Sequence, residues 1–333
     1  MRFFFTALLF TMMVLLPSLA GHSMAAGMSG PVVGGPLGAE PIDLDAWVQQ
    51  QQGGYGIGGF DPGSQFGVGP CADCPGTPNV LGPWDWQVLP ENLIYRSYLA
   101  GVNEPRLAVT GFNEKDDGWL WDSSLGARVG LLRYGSPEGA YPQGIQLDAE
   151  GVALLRQDDN GDLVSTDYRV GLPITLGFLR YQTKFGYYHM SSHVGDEFLI
   201  ANPGFVRINY LRDALVWGHS YQWDTALRLY FEVAYAFRTD GGSRPWEFQF
   251  GAEYSPICKT GFRGTPFVAA NAHLRQELNY SGNFVFQAGW QWRGRNYGPL
   301  LRTGLHYYNG MSPQFEFFRN FEHQIGGGVW YDF

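Results

Sequence analysis

From about residue 105 onward the chain alternates apolar and polar residues with a period of two, segment after segment. Leu227, Leu229, Phe231, Val233, Tyr235 and Phe237 fall on one face, and Arg228, Tyr230, Glu232, Ala234, Ala236 and Arg238 on the other. Trp246, Phe248, Phe250, Ala252 and Tyr254 oppose Glu247, Gln249, Gly251 and Glu253. Phe284, Phe286, Ala288, Trp290 and Trp292 oppose Val285, Gln287, Gly289, Gln291 and Arg293. Such alternation marks β-strands with one apolar and one wet face. Turn signals such as Asp159-Asn160-Gly161, Asp240-Gly241-Gly242 and Tyr280-Ser281-Gly282 separate the runs. The spacing predicts about twelve strands, near 105–113, 119–134, 144–156, 163–179, 181–193, 205–218, 225–239, 244–255, 264–277, 283–293, 300–309 and 322–333.

Alternation does not say which face is inside, so a soluble β-sandwich has to be weighed against a membrane barrel. Charge decides between them. Arg128, Asp148, Glu150, Arg169, Lys184, Arg228, Glu232, Glu247, Glu253, Arg275, Glu277 and Arg302 all fall on the polar set. A small soluble core does not hold so many charges, whereas a wet lumen, or one closed by ion pairs, does. Strands of roughly 9–15 residues also suit a tilted membrane crossing. The expected fold is therefore all-β, a transmembrane antiparallel up-and-down β-barrel. An even strand count leaves both barrel ends in the periplasm. A mean hydropathy of −0.18 agrees, since half of each strand faces away from lipid.

The N-terminal part reads differently. Met1-Arg2, an apolar run from Phe3 to Leu16 and the exit Pro17-Ser18-Leu19-Ala20 form a signal peptide over 1–20, with Ala26 a second cleavage candidate. Residues 21–90 are rich in Gly, Pro and Gln and bury too little to order themselves, which predicts a periplasmic linker with a short helix near 43–51. The barrel domain is assigned to 91–333, with 91–104 transitional and Leu93-Ile94-Tyr95 a short strand. A net charge of −9 argues against nucleic acid as a partner. Cys71 and Cys74 form a Cys-x-x-Cys pair in an exported segment and are expected to form a disulfide, leaving Cys258 alone.

The final strand, Gln324 to Phe333, resembles the closing strand of bacterial outer-membrane β-barrels, which their assembly machinery recognises. That resemblance makes Tyr331 and Phe333 the assembly signal, the barrel assembly machinery and outer-membrane lipid the partners, and the cell outer membrane the location, with the N-terminal extension in the periplasm. Residues 90–333 also resemble the exported family called domain of unknown function 1207. The likeness is carried by Pro90-Glu91-Asn92-Leu93-Ile94-Tyr95, by Tyr188-His189-Met190-Ser191-Ser192-His193-Val194-Gly195-Asp196-Glu197 and by Arg207-Ile208-Asn209-Tyr210-Leu211-Arg212-Asp213. That family implies fold and compartment but no activity.

One constellation suggests chemistry. Tyr181, Thr183, Phe185 and Tyr187 lie on the lipid-side set, and His189, Ser191 and His193 continue it. The fifth strand climbs outward, so these three are expected near the outer-leaflet headgroups. A His and a Ser two apart on a strand point the same way, as a base and a hydroxyl nucleophile must. The pair resembles the His-x-Ser of outer-membrane phospholipase A and the lipid A deacylases. The resemblance implies cleavage of lipid esters, an orienting Asn202 or Asn209, and calcium near Asp196 and Glu197; otherwise no cofactor is expected. Ser192-His193 stand where the phospholipase has Asn-Gly. A polar strand end at headgroup level accounts for the same residues without chemistry.

Two other signals fail. Asp158-Asp159-Asn160-Gly161-Asp162 mimics a calcium loop, but Leu163 occupies the glycine slot and Arg169 the twelfth position, so a hairpin turn is expected. His219, His273, His306 and His323 show no ligand spacing. Three functions remain: a structural or passive-channel barrel, a lipid hydrolase, and a surface receptor using loops 192–204 and 308–321.

Overall fold

The computed structural model describes residues 83–115, 118–136, 139–294 and 297–333, all within one compact unit, residues 55–333. The signal segment 1–20 and nearly all of the linker lie outside the described residues. The strands are β1 (Asp85–Val88), β2 (Leu107–Glu114), β3 (Gly118–Gly135), β4 (Gly144–Gln157), β5 (Leu163–Phe178), β6 (Tyr181–Val194), β7 (Leu211–Gln222), β8 (Leu227–Asp240), β9 (Trp246–Tyr254), β10 (Thr265–Arg275), β11 (Ser281–Arg293), β12 (Leu300–Met311) and β13 (Phe321–Asp332). A short helix, α1 (Asp196–Ala201), lies between β6 and β7. Each strand from β2 to β13 pairs antiparallel with the next, and β13 pairs with β2, which closes a twelve-strand barrel. Closure leaves no open edge along those strands.

The facing follows the alternation. On β8, Phe231 is 45% exposed, whereas Glu232 is 6% and Ala234 3%. Outward residues elsewhere are equally apolar: Val170, Leu172 and Ile174 on β5, Phe284 and Phe286 on β11, and Ile325 and Val329 on β13 are all exposed. Tyr331 and Phe333 lie at the end of β13, their rings 5.0 Å apart and edge to face.

The lumen is packed rather than wet. Lys184 pairs with Glu232 at 2.6 Å, Arg228 with Glu253 at 3.3 Å and Arg169 with Glu150 at 3.1 Å; Arg128 also bonds Glu150. Arg156 bridges Asp122 at 2.8 Å and Glu322 at 2.7 Å. Ala234 packs with Tyr188, Val216 and Phe315 in a luminal apolar cluster.

Between β1 and β2 the chain leaves the wall. β1 pairs with Leu132–Gly135 of β3 and β2 with Gly118–Leu125 of the same strand, so both occupy one strand position. Leu89 N still bonds Leu131 O, and Gly126 N bonds Arg106 O. The residues between them turn inward as a plug, with Tyr95, Tyr98 and Ala100 fully buried. Segment 91–104 thus contains no strand, contrary to the expectation at Leu93–Tyr95, and β1 falls in what reads as linker. Its polar backbone is met by wall arginines. Arg228 donates to Arg96 O (2.8 Å) and Ser97 O (3.2 Å), Arg128 to Tyr95 O (3.1 Å), Arg133 to Asn92 O (2.6 Å), and Arg302 to Leu99 O (3.2 Å). Tyr98 donates to Glu232 and stacks on Tyr230 with centroids 3.9 Å apart.

Two further expectations change. The strand expected at 205–218 runs 211–222, because Asn209 adopts left-handed backbone (φ 52°) and the Ile208 amide bonds Glu316 instead of a neighbouring strand. Cys258, read as standing alone, is disulfide-bonded. Cys71 and Cys74, between which the sequence predicts a disulfide, lie outside the described residues.

Phe231→Arg is expected to destabilise the refolded barrel by about 2–4 kcal/mol near the bilayer midplane. Ala234→Arg should also destabilise, because a packed lumen has no room for the side chain. Urea unfolding in lipid vesicles checks both; a neutral Ala234→Arg would mean a wet lumen. Planar-bilayer recording should find no steady conductance for the intact protein, and replacing 91–104 with a short Gly-Ser link should create it.

Candidate active site

β6 is flanked by β5 and β7, and the ladder sets His189 opposite Val170 and Asp213, and Ser191 opposite Tyr168 and Leu211. The pleat turns Tyr188, Met190 and Ser192 into the lumen, where all three are buried, and leaves His189, Ser191 and His193 on the outer wall. They lie near the end of β6 that leads into 195–210, the longest connection between the twelve barrel strands, on the rim opposite Phe333.

His189 has a partner that lies far from it in sequence. Its Nδ1 is 2.8 Å from Asp213 Oδ1, and Tyr187 donates its hydroxyl to the same oxygen at 2.6 Å. Arg238 approaches Asp213 Oδ2 at 3.6 Å. By strict alternation Arg238 belongs to the luminal set, but the β7–β8 register shifts beside Asp213, so that Asp213 pairs with Arg238 and Ala214 with Ala236. The extra residue, Phe237, moves Arg238 to the outer wall, where its side chain is 70% exposed. Asp213 is covered by these three side chains and is itself buried.

The arrangement defines what the imidazole does. With Nδ1–H donated to a carboxylate, the neutral ring offers Nε2 as its basic nitrogen. Ser191 lies two residues along on the same face. No hydrogen bond joins Nε2 to Ser191 Oγ among the described residues. The neighbouring cells of the wall are occupied: His193 packs edge-on against Tyr168 at 5.8 Å, and Ser192, on the luminal side, bonds Asp167 and receives the Glu316 amide at 3.0 Å.

Neither asparagine reaches the histidine. Asn202 ends α1 and donates to Phe198 O at 3.0 Å, and Asn209 is exposed at the loop bend. The third group is Asp213, a residue that carried no role in the sequence reading. Its signal was a lone carboxylate on the outward set of β7, between Leu211 and Leu215, one strand away across the ladder. Asp196 and Glu197 occupy the first turn of α1 and are exposed. Among the described residues no three His, Cys, Asp or Glu side chains gather as metal ligands.

A closed antiparallel barrel with an apolar exterior, a plugged polar interior and a His–Asp pair on its outer wall is the class the coordinates define. The chain belongs to the family described as "Protein of unknown function (DUF1207)", whose model matches residues 124–333. No curated protein matches it. Among solved structures it is similar to the Salmonella typhi outer membrane phospholipase (OMPLA) dimer with bound calcium, at 12% identity and TM-score 0.47, covering 72% of this chain and 96% of that one. It is similar to outer membrane phospholipase A from Escherichia coli at 11% identity and TM-score 0.45, covering 69% and 92%. A mutant of Rh. blastica porin matches at 10% identity and TM-score 0.30, covering 69% and 99%.

Proposed function

We propose that this protein is an outer-membrane barrel, sealed to solute flow, that hydrolyses lipid esters at a site on its outer wall. The observation that carries the reading is the Asp213–His189 hydrogen bond beside Ser191 on a lipid-side face. Membrane residence rests on the outward belt of exposed Leu, Ile, Val and aromatic side chains, which water would not tolerate as a continuous surface. The plugged lumen favours a surface role over a passive channel.

In this reading Ser191 Oγ attacks the ester carbonyl carbon while His189 Nε2 takes its proton. The tetrahedral intermediate collapses as His189 returns that proton to the departing alcohol oxygen. A water, deprotonated by the same nitrogen, then cleaves the acyl-serine and releases fatty acid. Asp213 holds the ring and its tautomer throughout and stabilises the transient imidazolium. A rotation about the Ser191 side chain has to bring Oγ to Nε2, since apo geometries of such pairs are commonly open. Asp196 and Glu197 stand exposed with no third ligand beside them among the described residues, so no step is assigned to calcium.

A second reading has its own support. Asp213 also accepts from Tyr187 and faces Arg238, so the cluster is satisfied as a polar tie between β6, β7 and β8 at headgroup level, without chemistry.

Lipid release by the refolded protein separates the two. The hydrolase reading expects fatty acid from phospholipid or lipid A, with Ser191→Ala and His189→Ala each lowering the rate on the order of 10²–10⁴-fold. Asp213→Ala should lower kcat while the heat-modifiable fold survives. An inactive wild type, or an unimpaired Ser191→Ala, leaves the structural tie.

A further inference from the structure

Most guanidinium groups that line the lumen are spoken for. Arg128, Arg156, Arg169, Arg212, Arg228 and Arg302 each meet a carboxylate within 4 Å. Among the described residues Arg96 and Arg293 do not, and neither do Arg133 and Arg275, which donate to carbonyls elsewhere in the lumen. Arg96, on the plug, donates to Ala140 O at 2.6 Å and lies over the Tyr141 ring. Arg293, at the end of β11 and only 5% exposed, donates to Pro256 O at 3.2 Å and Ser255 Oγ at 3.1 Å. Both line one narrow cleft that opens to solvent on the rim that holds Phe333. Its carboxylates are already engaged: Glu253 is held by Arg228 and the Leu99 amide, and Asp332 by Arg302 and Arg106.

Half-buried Arg96 and buried Arg293 bring two cations to one polar cleft whose carboxylates, Glu253 and Asp332, are each shared with other arginines, so the cluster carries excess positive charge, which is costly away from water. Neutral carbonyls fix their geometry here without cancelling their charge.

We infer that this cleft binds a phosphate group, with Arg96 from the plug and Arg293 from the wall as its paired cations. Guanidinium groups present planar pairs of donors that match phosphate oxygens, and a dianion offsets both charges at once. The site opens away from the His189 face, so it is a second and independent site. Because one ligand contacts both plug and wall, its binding holds the plug in place.

The test is calorimetric titration of the full-length refolded protein with inorganic pyrophosphate, at constant ionic strength and in uncharged detergent. One saturable site per chain is expected. Arg96→Gln and Arg293→Gln should each weaken binding by about tenfold or more, and Arg293→Lys less than Arg293→Gln. Arg263→Gln, on the exposed β9–β10 connection, should change nothing. Heat-modifiable migration on gels verifies that each variant is folded, and Arg96→Gln tests the site from the plug should Arg293→Gln not fold. A competition arm with short-chain phosphatidylglycerol identifies the source: displacement of pyrophosphate assigns a lipid headgroup, and its failure assigns a free phosphate compound. Absence of saturable pyrophosphate binding, or equal binding by wild type and both Gln variants, overturns the inference.

Discussion

The whole interior hangs on arginine side chains donating to peptide carbonyls. A segment that is neither helix nor strand cannot sit at membrane depth unless something satisfies its backbone. Here Arg128, Arg133, Arg228 and Arg302 reach from the wall to the carbonyls of Asn92, Tyr95, Arg96, Ser97 and Leu99. Several of the same guanidiniums also neutralise wall carboxylates, so removing one strands a buried acid and an orphaned carbonyl together. Losses of that kind are typically about 3–5 kcal/mol for a broken buried pair. Charged side chains are therefore much of the material of the core, and apolar residues, turned outward, form most of the barrel's exterior.

In the proposed reading, that inversion directs function to the surfaces. The lumen that a porin would use for passage is filled by Tyr95, Tyr98 and their partners, leaving the outer wall and the two rims. On the wall, the Phe237 bulge and the β6–β7 register together gather Tyr187, His189 and Arg238 around Asp213. On the opposite rim, Arg96 and Arg293 face a cleft whose carboxylates, Glu253 and Asp332, are engaged by other arginines. At the outer rim, Phe198, Phe205 and Phe317 pack in a triangle with centroids 5.2–5.3 Å apart and join the β6–β7 and β12–β13 connections.

Local periodicity made the wall legible. Strands such as β4, expected at 144–156 and found at Gly144–Gln157, follow directly from alternation and turn residues. Their closure into a twelve-strand barrel follows from the same pattern. The plug was not legible, because Pro90–Glu104 has no period and its order comes from distant wall residues, arginines above all. Asp213 was hidden for the same reason: its meeting with His189 is a cross-strand relation, fixed by a register that sequence spacing does not print. Arg238 was assigned to the wrong face because one bulge reverses the alternation beyond it. That Cys258 is disulfide-bonded was not legible either, since nothing in its local sequence marks it as paired.

The central claim is that Ser191 is a nucleophile made reactive by His189 and Asp213. Incubating the refolded protein with a long-chain alkyl fluorophosphonate and mapping the adduct by mass spectrometry tests it directly. A single phosphonyl group on Ser191, lost in His189→Ala and slowed in Asp213→Ala, is the result this account predicts. An unlabelled Ser191 in protein that migrates as a folded barrel would contradict it.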